Sequence, residues 1–234
     1  MFSTSSVSNM SVRLSSLLAT LVVLSCLPAC GQATLIVAAA ADLATLEPVL
    51  QQQFEKSNPN RLRFVTGASA ALAQQIENGA PYDIFLSANA QFVDRLAHSG
   101  TIDPASVRPY AIGRLGLLWR DGKQHDFKEL AANWVRFVSL PNPQLAPYGA
   151  AAQQALEHTG IWQGVRSKIV YGENVRQTLQ LFESGNADAV LTSDSLLQGR
   201  RPQIVPAMPA KRASRTRLAA ITFPRCRRTN LCRR

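Results

Sequence analysis

Residues 139–149 read Ser-Leu-Pro-Asn-Pro-Gln-Leu-Ala-Pro-Tyr-Gly, and this stretch decides the fold because it joins a strand-like run to a helix-like run. Its prolines fix φ and keep each preceding residue out of the α region, so the loop is stiff and extended. Residues 134–139 have the β-branched and aromatic character of a buried strand. Residues 150–158 are strong helix formers that end before Gly160. The loop therefore brings Tyr148 and the free N–H groups of a helix start together, which favours an anion site.

Strand-like runs followed by helix-like runs recur along the chain. The predicted strands are residues 34–41, 61–66, 82–87, 110–119, 134–139, 168–171 and 187–192, and the predicted helices are residues 43–54, 70–77, 91–98, 127–133, 150–158 and 175–184. Strands that alternate with helices indicate mainly parallel sheets with helices on both faces, and hence an α/β fold. The strand at 110–119 is long enough to pass from one domain into a second. The sequence thus predicts one lobe over residues 31–110 and another over residues 111–198.

The positive charge of the chain is concentrated at its end. The 234 residues carry a formal net charge of +10, with 25 Lys and Arg against 15 Asp and Glu. Residues 200–234 hold 11 of these bases and no acid, so the remaining 14 bases and 15 acids give the body a net charge of −1. Together with an export signal, this distribution argues against a nucleic-acid partner. Residues 199–234 are predicted to be a basic tail, which is either disordered or the product of a shifted reading frame.

The first 30 residues have the pattern of an export signal. Arg13 is followed by an apolar run at 14–27, which is too short to span a bilayer as a permanent helix. Residues 27–31, Leu-Pro-Ala-Cys-Gly, resemble a bacterial lipobox in which Cys30 is lipidated; ordinary cleavage after Gly31-Gln32-Ala33 is the alternative. In both cases we expect the mature protein in the periplasm or on the outer face of the cell membrane.

The residue types that most catalytic and metal sites need are sparse. The stretch from 31 to 225 contains no cysteine, and the three histidines of the chain have no metal-ligand spacing. No cofactor and no metal site are predicted. Residues 67–71, Gly-Ala-Ser-Ala-Ala, loosely resemble the nucleophile elbow of a serine hydrolase. The second glycine and a late histidine are missing, so a hydrolase is the weaker alternative to a binding protein.

Four junctions between a strand and a helix carry the functional prediction. They lie at residues 40–42, 66–69, 146–149 and 172–175. In parallel sheets such junctions lie at the carboxyl ends of the strands, where ligands bind. They offer N–H groups, hydroxyls and amides with almost no Lys or Arg, which suits a small ionised tetrahedral oxyanion. Within them, Ser69 and Asn174 are predicted helix N-caps, and Asp42 is expected to face solvent or a neighbouring N–H.

Four motifs in chain order resemble those of the periplasmic molybdate-binding proteins of molybdate ABC transporters. They are AAAADL at 38–43, GASAALAQQIENGAPYDIFLSA at 67–88, NPQLAPYG at 142–149 and ENVRQT at 173–178. The resemblance covers about residues 34–200 and implies a two-lobed type II periplasmic binding protein fold. It also implies a monomeric receptor without catalysis that closes on molybdate or tungstate and delivers it to a membrane permease. Sulfate or phosphate is the alternative ligand.

The same resemblance implies the residues of the ligand site. Ser69 matches the anion-binding serine, Tyr148 the contribution of the proline loop, and Val175 the backbone N–H donor of the later helix. Ala40 and Ala41 fall where the family usually places Ser, Thr or Asn, so only their backbone N–H groups are expected to bind. The family also continues with an ordered strand and helix that complete the first lobe, and the basic tail does not resemble them.

Overall fold

The computed structural model describes residues 32–205 and the backbone of residues 216–222. The predictions for the signal peptide and for lipidation of Cys30 lie outside these residues. Among the described residues, no helix has both the length and the apolar character required to cross a membrane.

The first sheet is built mainly from the start of the chain. Its strands are β1 (Thr34–Ala40), β2 (Arg61–Gly67), β3 (Ile84–Ser87), β4 (Arg108–Gly113) and β10 (Thr216–Thr222). Their order is β2-β1-β3-β10-β4, with β1 parallel to β2 and β3, and with β10 antiparallel to both of its neighbours. The apolar sequence of β1 fits its position, because a strand covered on both faces has no polar alternation. The carboxyl ends of β1, β2 and β3 therefore lie at one edge.

Three helices cover this sheet, and together they form the first lobe. They are α1 (Glu47–Ser57), α2 (Ser69–Glu77) and α3 (Ala90–His98). Phe85 and residues of α2 and α3 form the core on one face, and Val37 and Leu62 belong to the core on the other. The first helix was predicted to start at residue 43, but a 3₁₀ turn at Ala41–Leu43 comes first and α1 begins at Glu47. A proline in the first turn of α1 fixes this later start.

The second sheet and its helices form the second lobe. Its strands are β5 (Leu115–Trp119), β6 (Val138–Pro141), β7 (Ile169–Gly172), β8 (Ala189–Ser193) and β9 (Gln203–Ile204), and its helices are α4 (Pro147–His158), α5 (Trp162–Val165) and α6 (Val175–Glu183). The strand order is β7-β6-β8-β5-β9, with β6 parallel to β7 and β8, and β5 antiparallel to β8 and β9. Leu117, Leu140, Leu156 and Leu191 are fully buried in its core.

The strand before the proline loop begins later than predicted. Residues 134–139 were expected to be a strand, but β6 starts at Val138, and Trp134 and Phe137 are about half exposed. The N–H groups of Arg136 and Phe137 donate to the Asp188 carboxylate at 2.7 and 3.0 Å instead of to a neighbouring strand. The Asp188 carboxylate thus accepts the two N–H groups that would otherwise pair with a neighbouring strand.

The chain passes from the first sheet to the second after β4. Strand β4 belongs to the first sheet, β5 belongs to the second, and Arg114 separates them. The chain returns with β10, whose backbone lies between β3 and β4.

Two strands lie in the range predicted to be a basic tail. Strand β9 pairs with β5, and Thr216–Thr222 forms the fourth strand of the first sheet. Residues 199–234 were predicted to be a basic tail, disordered or frame-shifted in place of the end of the first lobe; within the described part of that range, these two strands pair with the second and the first sheet. The segment Thr-Arg-Leu-Ala-Ala-Ile-Thr has β-branched and apolar residues enough to form a strand, although basic residues surround it.

Candidate anion-binding site

A pocket lies where the strand-to-helix junctions of both lobes meet. It is lined by Ala40, Ala41, Asp42, Gly67, Ala68, Ser69, Ala88, Ala146, Pro147, Tyr148, Asn174 and Val175. The empty space, with its open mouth included, is about 200 Å³. The pocket is therefore small, and a compact ligand is the kind that it could enclose. All five residues predicted for the ligand site line this pocket.

The start of α4 places Tyr148 in the pocket. Its N-cap, Ala146, has no side chain that could accept a hydrogen bond, and Pro147 has no N–H. The N–H groups of Gly149 and Ala150 donate to the carbonyl of Ala146 at 2.9 and 3.2 Å. The N–H of Tyr148 is thus left for a ligand at the positive end of the helix. Gly149 is required here, since a Cβ would lie 2.1 Å from the Pro141 carbonyl oxygen.

The start of α6 leaves one N–H group in the same way. Asn174 is the N-cap, as predicted, and its Oδ1 accepts from the N–H groups of Arg176 and Gln177, both at 3.0 Å. The N–H of Thr178 donates to the Asn174 carbonyl. Of the first four N–H groups, that of Val175 remains for a ligand. The Thr192 hydroxyl donates to the Val175 carbonyl at 3.1 Å and thereby holds the next peptide group of the helix start.

Ser69 lines the pocket, but its predicted role as a helix N-cap is wrong. Ala68 is the N-cap of α2, and Ser69 is the first helical residue. The Ser69 hydroxyl is buried and accepts the N–H of Ala88 at 3.1 Å, a contact that links α2 to the end of β3. Since a hydroxyl both accepts and donates, its own proton remains available to a ligand.

The junction after β1 contributes backbone groups and one carboxyl. Ala40 and Ala41 are buried at 3% exposure each, and their methyl groups offer no hydrogen bond. The next residue, Asp42, is only 2% exposed, so solvent is excluded as one of the two surroundings predicted for it, solvent or a neighbouring N–H. The Tyr148 hydroxyl donates to Asp42 Oδ2 at 3.0 Å, whereas Oδ1 has no hydrogen-bond partner among the described residues.

Burial controls the ionisation of this pair. Loss of hydration raises the pKa of the Asp42 carboxyl to about 6, and the hydrogen bond from Tyr148 opposes that rise only in part. Burial also raises the pKa of the Tyr148 hydroxyl, and the adjacent Asp42 carboxylate raises it further. Tyr148 therefore keeps its proton at every physiological pH and acts as a donor.

Neutral donors dominate the pocket wall. None of its lining residues is Lys, Arg or His. Within residues 32–205, no group of three or more His, Cys, Asp or Glu is placed to hold a metal ion. The pocket can therefore form hydrogen bonds to a compact anion through N–H and O–H groups at three helix starts and a 3₁₀ turn.

Hydrogen bonds across the pocket connect the two lobes. Besides the bond between Tyr148 and Asp42, the Ser195 hydroxyl donates to the Asp42 carbonyl at 2.7 Å. The N–H of Ala70 donates to the Leu145 carbonyl at 3.3 Å. Residues from the first lobe and from the second therefore meet directly around the pocket.

The sequence matches the model of the bacterial extracellular solute-binding protein family over residues 35–228. The chain belongs to this family. The two-lobed α/β fold predicted from the sequence is confirmed by the architecture and by solved structures of periplasmic binding proteins. The family consists of solute-binding proteins that act outside the cytoplasm and is not an enzyme family.

Individual members of the solute-binding family resemble the chain in sequence and in structure. The "Molybdate-binding protein ModA" of Azotobacter vinelandii is 34% identical over 155 residues, which are 65% of this chain and 61% of that protein. The "Putative ABC transporter substrate-binding lipoprotein YvgL" of Bacillus subtilis is 31% identical over 170 residues, 70% of this chain and 65% of that protein. The solved Azotobacter vinelandii periplasmic molybdate-binding protein superposes with a TM-score of 0.72 at 30% identity, covering 81% of this chain and 85% of that one. The matched sequence spans less than two thirds of the length of these curated relatives.

Among the pocket residues that were not predicted as site residues, two have polar side chains, Asp42 and Asn174. Asp42 follows Ala41 directly, so its position at a junction was visible, but its burial depends on contacts with residues far along the chain. Asn174 was identified only as a helix cap, yet it also lines the pocket. The available signal was that both stand at the carboxyl ends of strands.

Proposed function

We propose that the chain is the substrate-binding component of an ABC importer, which captures molybdate or tungstate outside the cytoplasm and delivers it to a membrane permease. The observation that carries the proposal is the convergence of uncharged N–H and O–H donors from both lobes on one small pocket. The names of the Azotobacter vinelandii relatives support molybdate as the ligand.

The proposed ligand contacts come from five residues. The hydroxyl of Ser69 and the N–H groups of Ala40, Ala41, Tyr148 and Val175 surround the oxyanion. Donors fixed by the fold bind an ionised oxygen strongly, since hydrogen bonds to charged groups contribute about 1.5–3 kcal/mol each. Molybdate and sulfate both present four oxygens and two charges, so the size of the pocket would discriminate between them. No catalytic step is part of the proposal.

A second candidate ligand is an oxyanion that carries its own proton, such as hydrogen phosphate. The observation that favours it is the Asp42 carboxyl in the pocket wall, because a carboxylate accepts a hydrogen bond from the O–H of such an ion.

Calorimetric titration of the purified mature protein with molybdate, tungstate, sulfate and phosphate tests both candidates. We expect molybdate and tungstate to bind at least tenfold more tightly than the others, a difference of about 1.4 kcal/mol. Tighter binding of phosphate would support the second candidate, and failure of all four ions would refute the oxyanion function.

The proposal extends to the form of the protein in the cell. We propose a monomer that is attached to the membrane through a lipid on Cys30; the lipoprotein name of the Bacillus subtilis relative supports this attachment. Metabolic labelling with a fatty acid would be lost on Cys30→Ser if the proposal holds, and labelling that persists would contradict it.

A further inference from the structure

Asp42 presents an unsatisfied acceptor to a pocket that otherwise offers donors. The residue is only 2% exposed to solvent, and its Oδ1 has no hydrogen-bond partner within the described residues. A buried carboxylate oxygen without a donor is destabilising, because burial removes its hydration and no hydrogen bond replaces it. A proton on this oxygen, or a ligand that supplies one, would remove the cost.

A fully ionised oxyanion cannot by itself supply the hydrogen bond that Asp42 Oδ1 lacks. Its oxygens are acceptors, and its charge has the same sign as the carboxylate. One proton between Oδ1 and a ligand oxygen changes the contact from repulsion to an O–H···O⁻ hydrogen bond, which is among the stronger hydrogen bonds in proteins.

The Tyr148 hydroxyl couples to the same proton. It has a single O–H, which donates to Asp42 Oδ2 at 3.0 Å. When Asp42 is neutral, Oδ2 is a weaker acceptor, and the hydroxyl can rotate its proton towards a bound anion. Protonation of Asp42 thus frees both the Asp42 carboxyl and the Tyr148 hydroxyl from their mutual hydrogen bond, so that each can donate to the ligand.

The charged side chains packed around Asp42 have partners of their own. Arg114 lies 3.0 Å from Asp194, the first residue of a second 3₁₀ turn, Asp194–Leu197, whose Ser195 hydroxyl donates to the Asp42 carbonyl. Arg176 at the start of α6 interacts electrostatically with Glu47.

The titratable groups that interact with the Asp42 carboxyl directly are both phenols. They are Tyr148 of α4 and Tyr110 of β4, and burial raises the pKa of each. Both stay neutral over the range in which Asp42 titrates, so the carboxyl sets the pH response of the pocket.

We propose that Asp42 is a specificity-determining residue whose Oδ1 carries one proton in the complex and donates it to an oxygen of the bound oxyanion. A dianion is then taken up together with one H⁺ from solvent, which bonds to Oδ1 while the ligand keeps all its atoms and both its charges. This inference rests on the proposed oxyanion-binding function.

The sign of the pH dependence of binding follows from the burial of Asp42 and from the charge of the bound ion. In the ligand-free protein the pKa of Asp42 is about 6 because of burial, and a bound dianion raises that pKa further. Proton uptake is therefore expected above pH 6, where the free site is ionised and the occupied site is not. In that range the affinity for a dianion falls by about tenfold for each unit of rising pH.

Titration calorimetry with sodium molybdate measures this uptake. The mature protein is titrated between pH 6.5 and 8.5, and at pH 8 in Tris and in HEPES, whose different protonation enthalpies give the number of protons bound. We expect about one proton per molybdate at pH 8 and about tenfold weaker binding at pH 8 than at pH 7. Asp42→Asn keeps the shape of the side chain but cannot ionise, so its affinity should change less than twofold over the same range and should exceed that of the wild type at pH 8.

Asp94→Asn is the matched control, because Asp94 is exposed on α3 and its substitution changes the net charge equally. It should reproduce the wild-type proton count and pH dependence. Molybdate binding by the wild type without proton uptake would overturn the inference and leave the proposed function intact, and this result requires no variant to fold. Absence of molybdate binding at every pH would refute the proposed function and the inference with it.

Discussion

Ser69 shows how a buried hydroxyl can be committed to the fold and still be open to a ligand. Its oxygen accepts the N–H of Ala88, which holds the rotamer, and its proton is available to the pocket. The fold therefore prepares the donor before any ligand arrives, and less conformational entropy is lost on binding.

Ser69→Ala should weaken oxyanion binding by about 1–3 kcal/mol, because one charged acceptor of the ligand then lacks its donor. Tyr148→Phe keeps the N–H but removes the hydroxyl that donates to Asp42 and, once Asp42 is protonated, to the anion, so it should cost a similar amount. Both are measured by titration calorimetry at pH 7. Ser184→Ala removes an exposed hydroxyl at the end of α6 and should leave the affinity unchanged. Unchanged affinity in both pocket variants would refute the site assignment.

Asp42 should also make the stability of the ligand-free protein depend on pH. Its pKa is raised from 3.8 to about 6, so between these values the folded protein binds a proton that the unfolded chain does not. Stability due to this group therefore falls as pH rises from about 4 to about 6 and is constant above, a total of about 3 kcal/mol.

Asp42→Asn should accordingly raise the free energy of unfolding by roughly 1–3 kcal/mol at pH 8 and by much less near pH 4. Denaturant titrations at the two pH values measure the difference, with Asp94→Asn as the control. An equal effect of Asp42→Asn at both pH values would show that its cause is packing and not ionisation.

The helix starts are the elements that turn this fold into a binding site. At α4 and α6, local hydrogen bonds use the other early N–H groups, and one N–H at each helix remains directed to the pocket. Where a side chain caps the other N–H groups of a helix start, it fixes the neighbouring peptide planes. The N–H group that is left for a ligand then points in a defined direction.

Variants of Asn174 should separate capping from charge. Asn174→Ala removes the acceptor of two N–H groups and should reduce the free energy of unfolding by about 0.5–2 kcal/mol. Asn174→Asp keeps the cap and the stability but places a negative charge in the pocket wall, so it should weaken binding of a dianion. Thermal unfolding and calorimetry on both variants, with Asn174→Ser as a neutral cap, test this. A wild-type affinity for Asn174→Asp would place the ligand elsewhere.

The sequence predicts these elements well where the information is local. The junctions at residues 66–69, 146–149 and 172–175 are marked by Gly, Pro and Asn, and the cap role of Asn174 follows from its immediate neighbours. Ser69 was placed one position wrong, because its hydroxyl is held by Ala88, a residue from another strand. Distant contacts also bury Asp42, and β10 pairs across more than 100 residues, so short-range patterns contain neither result.

Closure of the two lobes is the property of the whole molecule that the pocket depends on. Asp42 receives hydrogen bonds from Tyr148 and Ser195 of the second lobe, so both sheets contribute to the enclosure. A ligand held by both lobes binds the folded state alone and therefore stabilises it.

Saturating molybdate should thus raise the temperature of unfolding. At 100 times the dissociation constant the stabilisation is about 2.7 kcal/mol, which corresponds to roughly 5–10 °C for a protein of this size. Scanning calorimetry with molybdate, and with chloride at equal ionic strength as the control, measures it. Equal shifts with both salts would indicate a general ionic effect.

The position of β10 has a consequence for synthesis. Since β10 lies between β3 and β4, these two strands have no direct pairing, and the first sheet stays divided until residues 216–222 are available to pair with them. The second sheet, whose last strand ends at Ile204, can be complete earlier. A nascent chain released before β10 would expose two unpaired strand edges, which are sites of aggregation and of proteolysis. Of the two sheets, the one that begins first in the chain is thus completed later.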